Sequence, residues 1–444
     1  MLKVAAASKF DGKARPGNRA VLASFFEGSL VRFKNLVALS VLAVFSFAGH
    51  AAAEGINITD QSGRVVLERA GTKDVPRLIG LLKGSDGFVK AQAQYALISL
   101  GKDAVPELLS ALESRENVVD IVYVLNSIKD ERAAGVLSGL LDLEDADALE
   151  KVESALYSLG PAAVPHLFNA LNDPASRENA ANTLALIKDK ASYPKLYPYL
   201  KSTDAGIRAC AAHVEGAWLD RGAESIMGGL LRDGQDRTRR EATGYFLAIS
   251  PNIETPHLEE LLNDSDAQVR LNALKIIIID RNTSYPAAIA EILKKDPDPR
   301  VRKAAVEAFY RCFKEESPPA FIAALEDRDD SVAALAAGYI GELGVKEAAP
   351  GLNALLAGRE RPSDQIVESV ARAFAGIREG FDPDVLLPYI NWSNLYVVRS
   401  VLGAWEVAAR PGDAGIKDAL KNYIDMPVDN RYKDRAKKLL EKLG

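Results

Sequence analysis

Residues 74–82 read Asp74-Val75-Pro76-Arg77-Leu78-Ile79-Gly80-Leu81-Leu82. Val75, Leu78, Ile79 and Leu82 fall on one face of a helix of 3.6 residues per turn. Asp74 is placed to cap that helix, and Pro76 sits in its first turn, where a missing N–H costs nothing. Gly84-Ser85-Asp86-Gly87 then breaks the helix. A second helix follows with Val89, Ala93, Ala96, Leu97 and Leu100 on one stripe, and Gly101 is its expected C-cap. Neither helix can bury its apolar stripe alone, so the hairpin must stack on another like it.

The rest of the chain supplies the others. A proline opens an apolar-periodic segment at Pro76, Pro106, Pro165, Pro194, Pro256, Pro286, Pro319 and Pro350. Units without it fit between, near Ala134 and Ser225, and two more begin near Asp384 and Asp413. The period is about 31 residues and the total about twelve hairpins. The second helices share a further spacing, an aspartate followed four residues later by a basic residue: Asp86/Lys90, Asp204/Arg208, Asp236/Arg240, Asp266/Arg270 and Asp298/Arg302. An aspartate there satisfies free N–H groups at the positive end of the helix dipole, and the basic residue lies one turn on, along the same side. Stacked, the pairs are expected to form a structural ladder of alternating charge. The units after Pro319 lack the pair.

The Pro-x-Leu-x-x-Leu-Leu first helix, the Asp-x-x-Val-Arg opening of the second and its Ala/Leu-rich body resemble HEAT repeats. The similarity is to the short bacterial kind first named for phycobilisome lyases, and it runs from about Asp74 to the end of the chain. It implies an all-α fold, an α-α superhelix of the HEAT solenoid type over residues 74–444, with residues 413–444 as the C-terminal cap. It also implies a concave face, lined by second helices, that binds another protein or a peptide.

Composition agrees with close helix packing: hydrophobic residues are 48%, charged 26% and aromatic only 7%. Residues 31–53 have the layout of a secretory signal. Arg32 and Lys34 precede an uncharged run from Leu36 to Ala48, and Ala51-Ala52-Ala53 offers cleavage after Ala53. That run is too short to span a membrane comfortably. Residues 1–30 are an extension or a misplaced start. Without residues 1–53 the chain has 48 basic and 59 acidic side chains, a net charge of −11, which argues against nucleic acid as a partner. The expected location is the periplasm or the exterior. Residues 54–73 form a polar lead-in. The stretch Ile58–Val66 resembles the first hairpin of bilobed periplasmic solute-binding proteins, but no β/α alternation follows, so a short capping helix is expected. The basic, amphipathic segment Arg431–Leu440 reads as a polar cap on the last repeat.

No spacing points to chemistry. His166, His213 and His257 make no metal-ligand pattern, and neither a Gly-x-Ser-x-Gly elbow nor a phosphate-binding glycine loop occurs. Cys210 and Cys312 lie three repeats apart, too far for a disulfide, and read as free and buried. The expectation is a scaffold that is not an enzyme and takes no cofactor or metal. The alternative is an accessory or chaperone subunit for an envelope enzyme, possibly of the lyase type. The candidate binding surface comes from offsets +2, +5, +6 and +9 after the valine that opens each second helix. In the centre of the array these hold Leu271, Leu274, Ile278, Val306 and Tyr310, an apolar groove for a peptide, a helix or a flat protein face. Sideways burial between crowded helices is the other reading. Gly338 and Gly341 suggest close helix approach nearby.

Overall fold

The computed structural model describes residues 56–251, 254–378, 380–427 and 432–444. The expected export segment, its cleavage point after Ala53 and the preceding residues 1–30 lie outside the described residues. The chain divides into two compact units, one ending at Asp189 and the other beginning at Lys190.

The first unit holds four helical hairpins. Their helices are α1 Val75–Leu82, α2 Gly87–Leu100, α3 Val105–Leu112, α4 Val118–Ile128, α5 Ala133–Ser138, α6 Ala146–Leu159, α7 Val164–Ala170 and α8 Arg177–Ile187. First helices pack on first helices and second on second, making two layers. The second unit holds eight hairpins built the same way. It begins with α9 Tyr193–Leu200, α10 Ala205–Trp218, α11 Glu224–Leu230, α12 Asp236–Ile249, α13 Leu258–Leu262 and α14 Ala267–Asp280. It continues with α15 Pro286–Lys295, α16 Pro299–Cys312, α17 Pro318–Ala324, α18 Asp330–Leu343, α19 Ala349–Ala357 and α20 Asp364–Ile377. A 3-10 helix, Pro383–Tyr389, pairs with α21 Leu395–Ala408, and α22 Ala414–Asp425 pairs with α23 Lys433–Leu443. Each unit is an α-solenoid, and the described hairpins number the expected twelve.

The local signals operate as their chemistry requires. Proline occupies the first turn of α1, α3, α7, α9, α15, α17 and α19. Asp86, Asp204, Asp266 and Asp298 accept hydrogen bonds from the first backbone N–H groups of their helices. The apolar stripes close the core: Val75, Leu78, Ile79 and Leu82 of α1 meet Val89, Ala93, Ala96 and Leu97 of α2, all buried. Each Val, Leu or Ile side chain among them contributes about 1.5–3 kcal/mol of burial. Asp74 departs from its expected role. Its carboxylate does not cap α1 but accepts from the Gly71 N–H at 2.9 Å, closing the preceding turn.

The lead-in is not a capping helix. Ile56–Thr59 (β1) and Val65–Ala70 (β2) pair as an antiparallel hairpin. β-Branched residues, Ile56, Ile58 and Thr59 in β1 and Val65 and Val66 in β2, favour the strands, and the Asp60 carboxylate accepts the N–H groups of Ser62 and Arg64, each at 2.9 Å. Gly63 takes the left-handed turn position at φ +81°. The hairpin buries Ile58 and Leu67 and leans on α2. There the Thr59 N–H donates to Gln92 Oε1 (3.0 Å) and Gln92 Nε2 donates to the Thr59 carbonyl (2.9 Å). A strand pair thus covers the open end of the first repeat. Cys210 is buried and Cys312 half-buried, and the two form no disulfide. Among the described residues no helix is long and apolar enough to cross a membrane.

Candidate interaction surface

Charge is organised between repeats rather than within them. Arg208, at the second turn of α10, sends Nε and Nη2 to both oxygens of Asp233 at 2.7 and 3.1 Å. Its Nη1 donates back to the Ser202 carbonyl at 2.9 Å. The same three-way contact recurs at Arg239–Asp264, Arg270–Asp296 and Arg302–Asp327. Each aspartate lies 25 or 26 residues further on, in the loop of the next hairpin. There it also accepts the N–H two residues ahead, as Asp264 does from Asp266. Burial pushes the Asp233 and Asp264 carboxyls up. The arginine beside each, with that backbone N–H, more than offsets this and holds both below the usual carboxylate range. Bidentate charge-assisted bonds of this kind fix geometry as well as energy.

Four of the expected pairs therefore split their labour. Asp86, Asp204, Asp266 and Asp298 cap their own helices, while Lys90, Arg208, Arg270 and Arg302 reach the next repeat, Lys90 through Asp120 at 2.9 Å. The pair Asp236/Arg240 is out of register by one residue. The cap position of α12 is Gln235, so the residue four further on is Arg239. Arg240 is exposed and only approaches Asp266, at 3.6 Å. Ala333 stands at the arginine position of α18. Arg359, just after α19, substitutes by pairing with Asp330 and donating to the Asp327 carbonyl.

The expected apolar groove in the second unit is filled. Leu274 and Val306 are fully buried, and Leu271 is 9% exposed. Second helices packed ~8–10 Å apart cover each other's flanks as well as the side facing the first helices. Offset +5 points onto such a flank. Ile278 and Tyr310 are half-buried. The Tyr310 ring is taken up by parallel stacking on Tyr339, centroids 3.9 Å apart, and its hydroxyl donates to Glu342 at 2.9 Å. Tyr310 thereby ties α16 to α18.

An open apolar surface lies in the first unit instead. Phe88 and Tyr95 on α2, Tyr123 on α4, Tyr157 on α6 and Leu186 on α8 are each 47–52% exposed. The core stripes of these helices fix the direction. In α4 the buried Ile121, Val124 and Leu125 place Tyr123 on the opposite side, and in α6 Val152, Ala155 and Leu156 do the same for Tyr157. Tyr95 and Tyr123 each stand six residues before a C-cap of positive φ, Gly101 and Lys129. They therefore occupy equivalent places on adjacent helices. The signal was present in the sequence: Tyr95 is offset +6 from Val89. Reading the offsets only in the centre of the array missed it, and α4 lacks the aspartate cap that marks the register.

The second unit also buries a carboxyl without a full set of partners. Glu215 of α10 accepts the Asp220 N–H at 2.8 Å through Oε1, while Oε2 has no hydrogen bond. Burial pushes its pKa up to about 7. Tyr197 donates to Asp220 at 2.5 Å and Tyr245 to the Asp220 carbonyl at 2.9 Å, so the group anchors the turn that leaves α10.

No family model matches the chain, and no curated protein matches it. Among solved structures it is similar to YibA of Escherichia coli, at 17% identity over 59% of this chain and 98% of that one, with a TM-score of 0.43. It is similar to human deoxyhypusine hydroxylase at 17% identity, over 64% and 98%, with a TM-score of 0.26. It is similar to Kap95p, from a structure of its binding to RanGDP, at 13% identity, over 84% and 60%, with a TM-score of 0.48. The assignment as an α-solenoid rests on the two-layer stacking of the hairpins themselves.

Proposed function

We propose that this chain is a non-catalytic, HEAT-type scaffold of the periplasm or cell exterior that binds another protein through its second helices. One observation carries the reading: Tyr95, Tyr123 and Tyr157 hold large rings in solvent on consecutive second helices of one unit. Scattered exposed apolar residues are ordinary, but a row on adjacent parallel elements is the pattern of a contact surface. Tyrosine supplies wide contact area with few rotatable bonds to freeze. The repeats need none of these rings for their core, which Ile121, Val124, Leu125 and their counterparts already fill. Export is supported by the charge-free run Leu36–Ala48 and the Ala51-Ala52-Ala53 site behind it.

The test is capture from a periplasmic extract by the mature chain and by its Tyr123→Asp/Tyr157→Asp variant. The expected outcome is a partner retained by the first and lost by the second, at equal far-UV ellipticity. Identical captures by both proteins would remove these rings from the binding surface.

A further inference from the structure

The tyrosine face is not electrically neutral. Between residues 56 and 189 the chain carries 13 basic and 20 acidic side chains, so the unit is acidic as a whole. The excess concentrates beside Tyr157. Along α6, Asp147, Glu150 and Glu153 meet one cation, Lys151, which lies 3.6 Å from Asp147 and 3.8 Å from Glu150. Glu153 is half-buried, one turn before Tyr157, and no cation pairs with it among the described residues. Burial and the neighbouring Glu150 both push its carboxyl above its ordinary value. Like charges held together in a partly dehydrated place cost stability in the free protein. A positive group arriving there removes that cost. The exposed faces of Tyr95 and Tyr123 add the negative quadrupole of aromatic rings, which also attracts cations.

We infer that the segment docking on α2, α4 and α6 is a peptide segment of another protein in which Lys or Arg stand among apolar residues. Its cations lie over the tyrosine rings and against Glu150 and Glu153, and its apolar side chains cover Phe88 and the ring edges. This inference rests on the binding role proposed above and specifies the chemistry of the partner. A flat neutral protein face would leave Glu153 without a counter-charge.

The probe is a short labelled peptide of alternating Arg and Leu, titrated with the mature chain by fluorescence anisotropy. A peptide of the same length with Glu in place of Arg is the control. The Arg peptide is expected to bind, with affinity falling as salt rises, and the Glu peptide to remain free. Tyr123→Ala and Tyr157→Ala, both at exposed positions, are each expected to weaken binding about threefold to fivefold. Glu150→Gln/Glu153→Gln is expected to weaken binding by a similar factor and to flatten the salt dependence. Glu347→Gln/Glu360→Gln, exposed in the second unit, is expected to change nothing. Glu150→Gln alone carries the charge test if the double variant loses helical signal. Equal binding of the Glu peptide, or unchanged affinity on neutralising Glu150, overturns the inference. If the tyrosine variants still lose the captured partner while the Arg peptide fails to bind, the scaffold stands and the cationic segment falls. If neither responds, both fall.

Discussion

A buried guanidinium is stable only while all of its nitrogens are occupied. Arg270 meets that condition: Nε and Nη2 take both oxygens of Asp296, and Nη1 takes the carbonyls of Asp264 and Ser265 at 2.7 and 3.1 Å. The two side chains are 10% and 4% exposed, so neither charge has water to fall back on. Arg270→Ala strands the Asp296 carboxylate and is expected to cost about 3–5 kcal/mol. Arg240→Ala removes a side chain that is 45% exposed from a 3.6 Å contact, and is expected to cost less than about 1 kcal/mol. Denaturant unfolding followed by circular dichroism separates the two, and equal losses would mean that the inter-repeat pairs do not carry stability. The sequence Asp236-Arg237-Thr238-Arg239-Arg240 offers two adjacent arginines. Only the backbone at Gln235, which turns from extended to helical there, decides which of them enters the ladder.

Helix pairs in a solenoid differ mainly in how closely their backbones approach. The tightest contact among the glycines lies between α18 and α20. A Cβ on Gly376 would lie within the Gly341 carbonyl, and one on Gly341 would stand 2.7 Å from the Ala373 Cα. Both obstacles are main chain, which cannot rotate away. Gly376→Ala is therefore expected to destabilise by about 1–3 kcal/mol, even against a helix-propensity gain of about 1 kcal/mol. Gly338→Ala, with nothing within 4 Å of its Cβ, is expected to stabilise by up to about 1 kcal/mol. Thermal melting of the two variants checks both signs, and a rise in Tm for Gly376→Ala would refute the contact. Sequence reading named Gly338 and Gly341 together, because glycine in a helix marks a possible approach without saying from which side. Hairpins were legible because Pro76-type first turns, aspartate caps and apolar stripes are set by residues within one repeat. The β1–β2 hairpin escapes a reading by periodicity because its strands are only four and six residues long and lie in a polar stretch. Its support comes from Gln92, more than thirty residues away. Of the five expected groove residues, Leu271, Leu274 and Val306 are closed off for the same reason, burial imposed by the neighbouring repeats, while Ile278 and Tyr310 stay half-buried.

In a repeat protein, stability is close to a sum over repeats and the interfaces between neighbours. The two units are linked internally by different means. In the second, four arginine–aspartate pairs with side chains no more than 19% exposed tie successive hairpins. Asp233 and Asp264 sit below the usual carboxylate range there. Their contribution is present above the unfolded carboxyl pKa of about 4 and disappears as pH falls through the lower folded values. In the first unit the pairs that join neighbouring repeats are more open to water, Lys83–Glu116 at 51% and 66%, Arg115–Asp142 at 47% and 29% and Lys90–Asp120 at 32% and 16%, and such pairs contribute less. Its most depressed carboxyl, Asp130, is held by Arg132 two residues away, whose Nη2 also donates to the Lys102 carbonyl of the preceding repeat at 2.9 Å, and with a pKa of about 2 it stays ionised until low pH. Acid is thus expected to loosen the second unit first. All three tryptophans, Trp218, Trp392 and Trp405, belong to it, so tryptophan emission reports on that unit alone while far-UV ellipticity reports on both. During titration from about pH 5 to pH 2, the emission shift is expected at higher pH than the final loss of ellipticity. A single transition seen identically by both probes would show that the chain responds to acid as one cooperative unit, and that the ladder does not set where it yields.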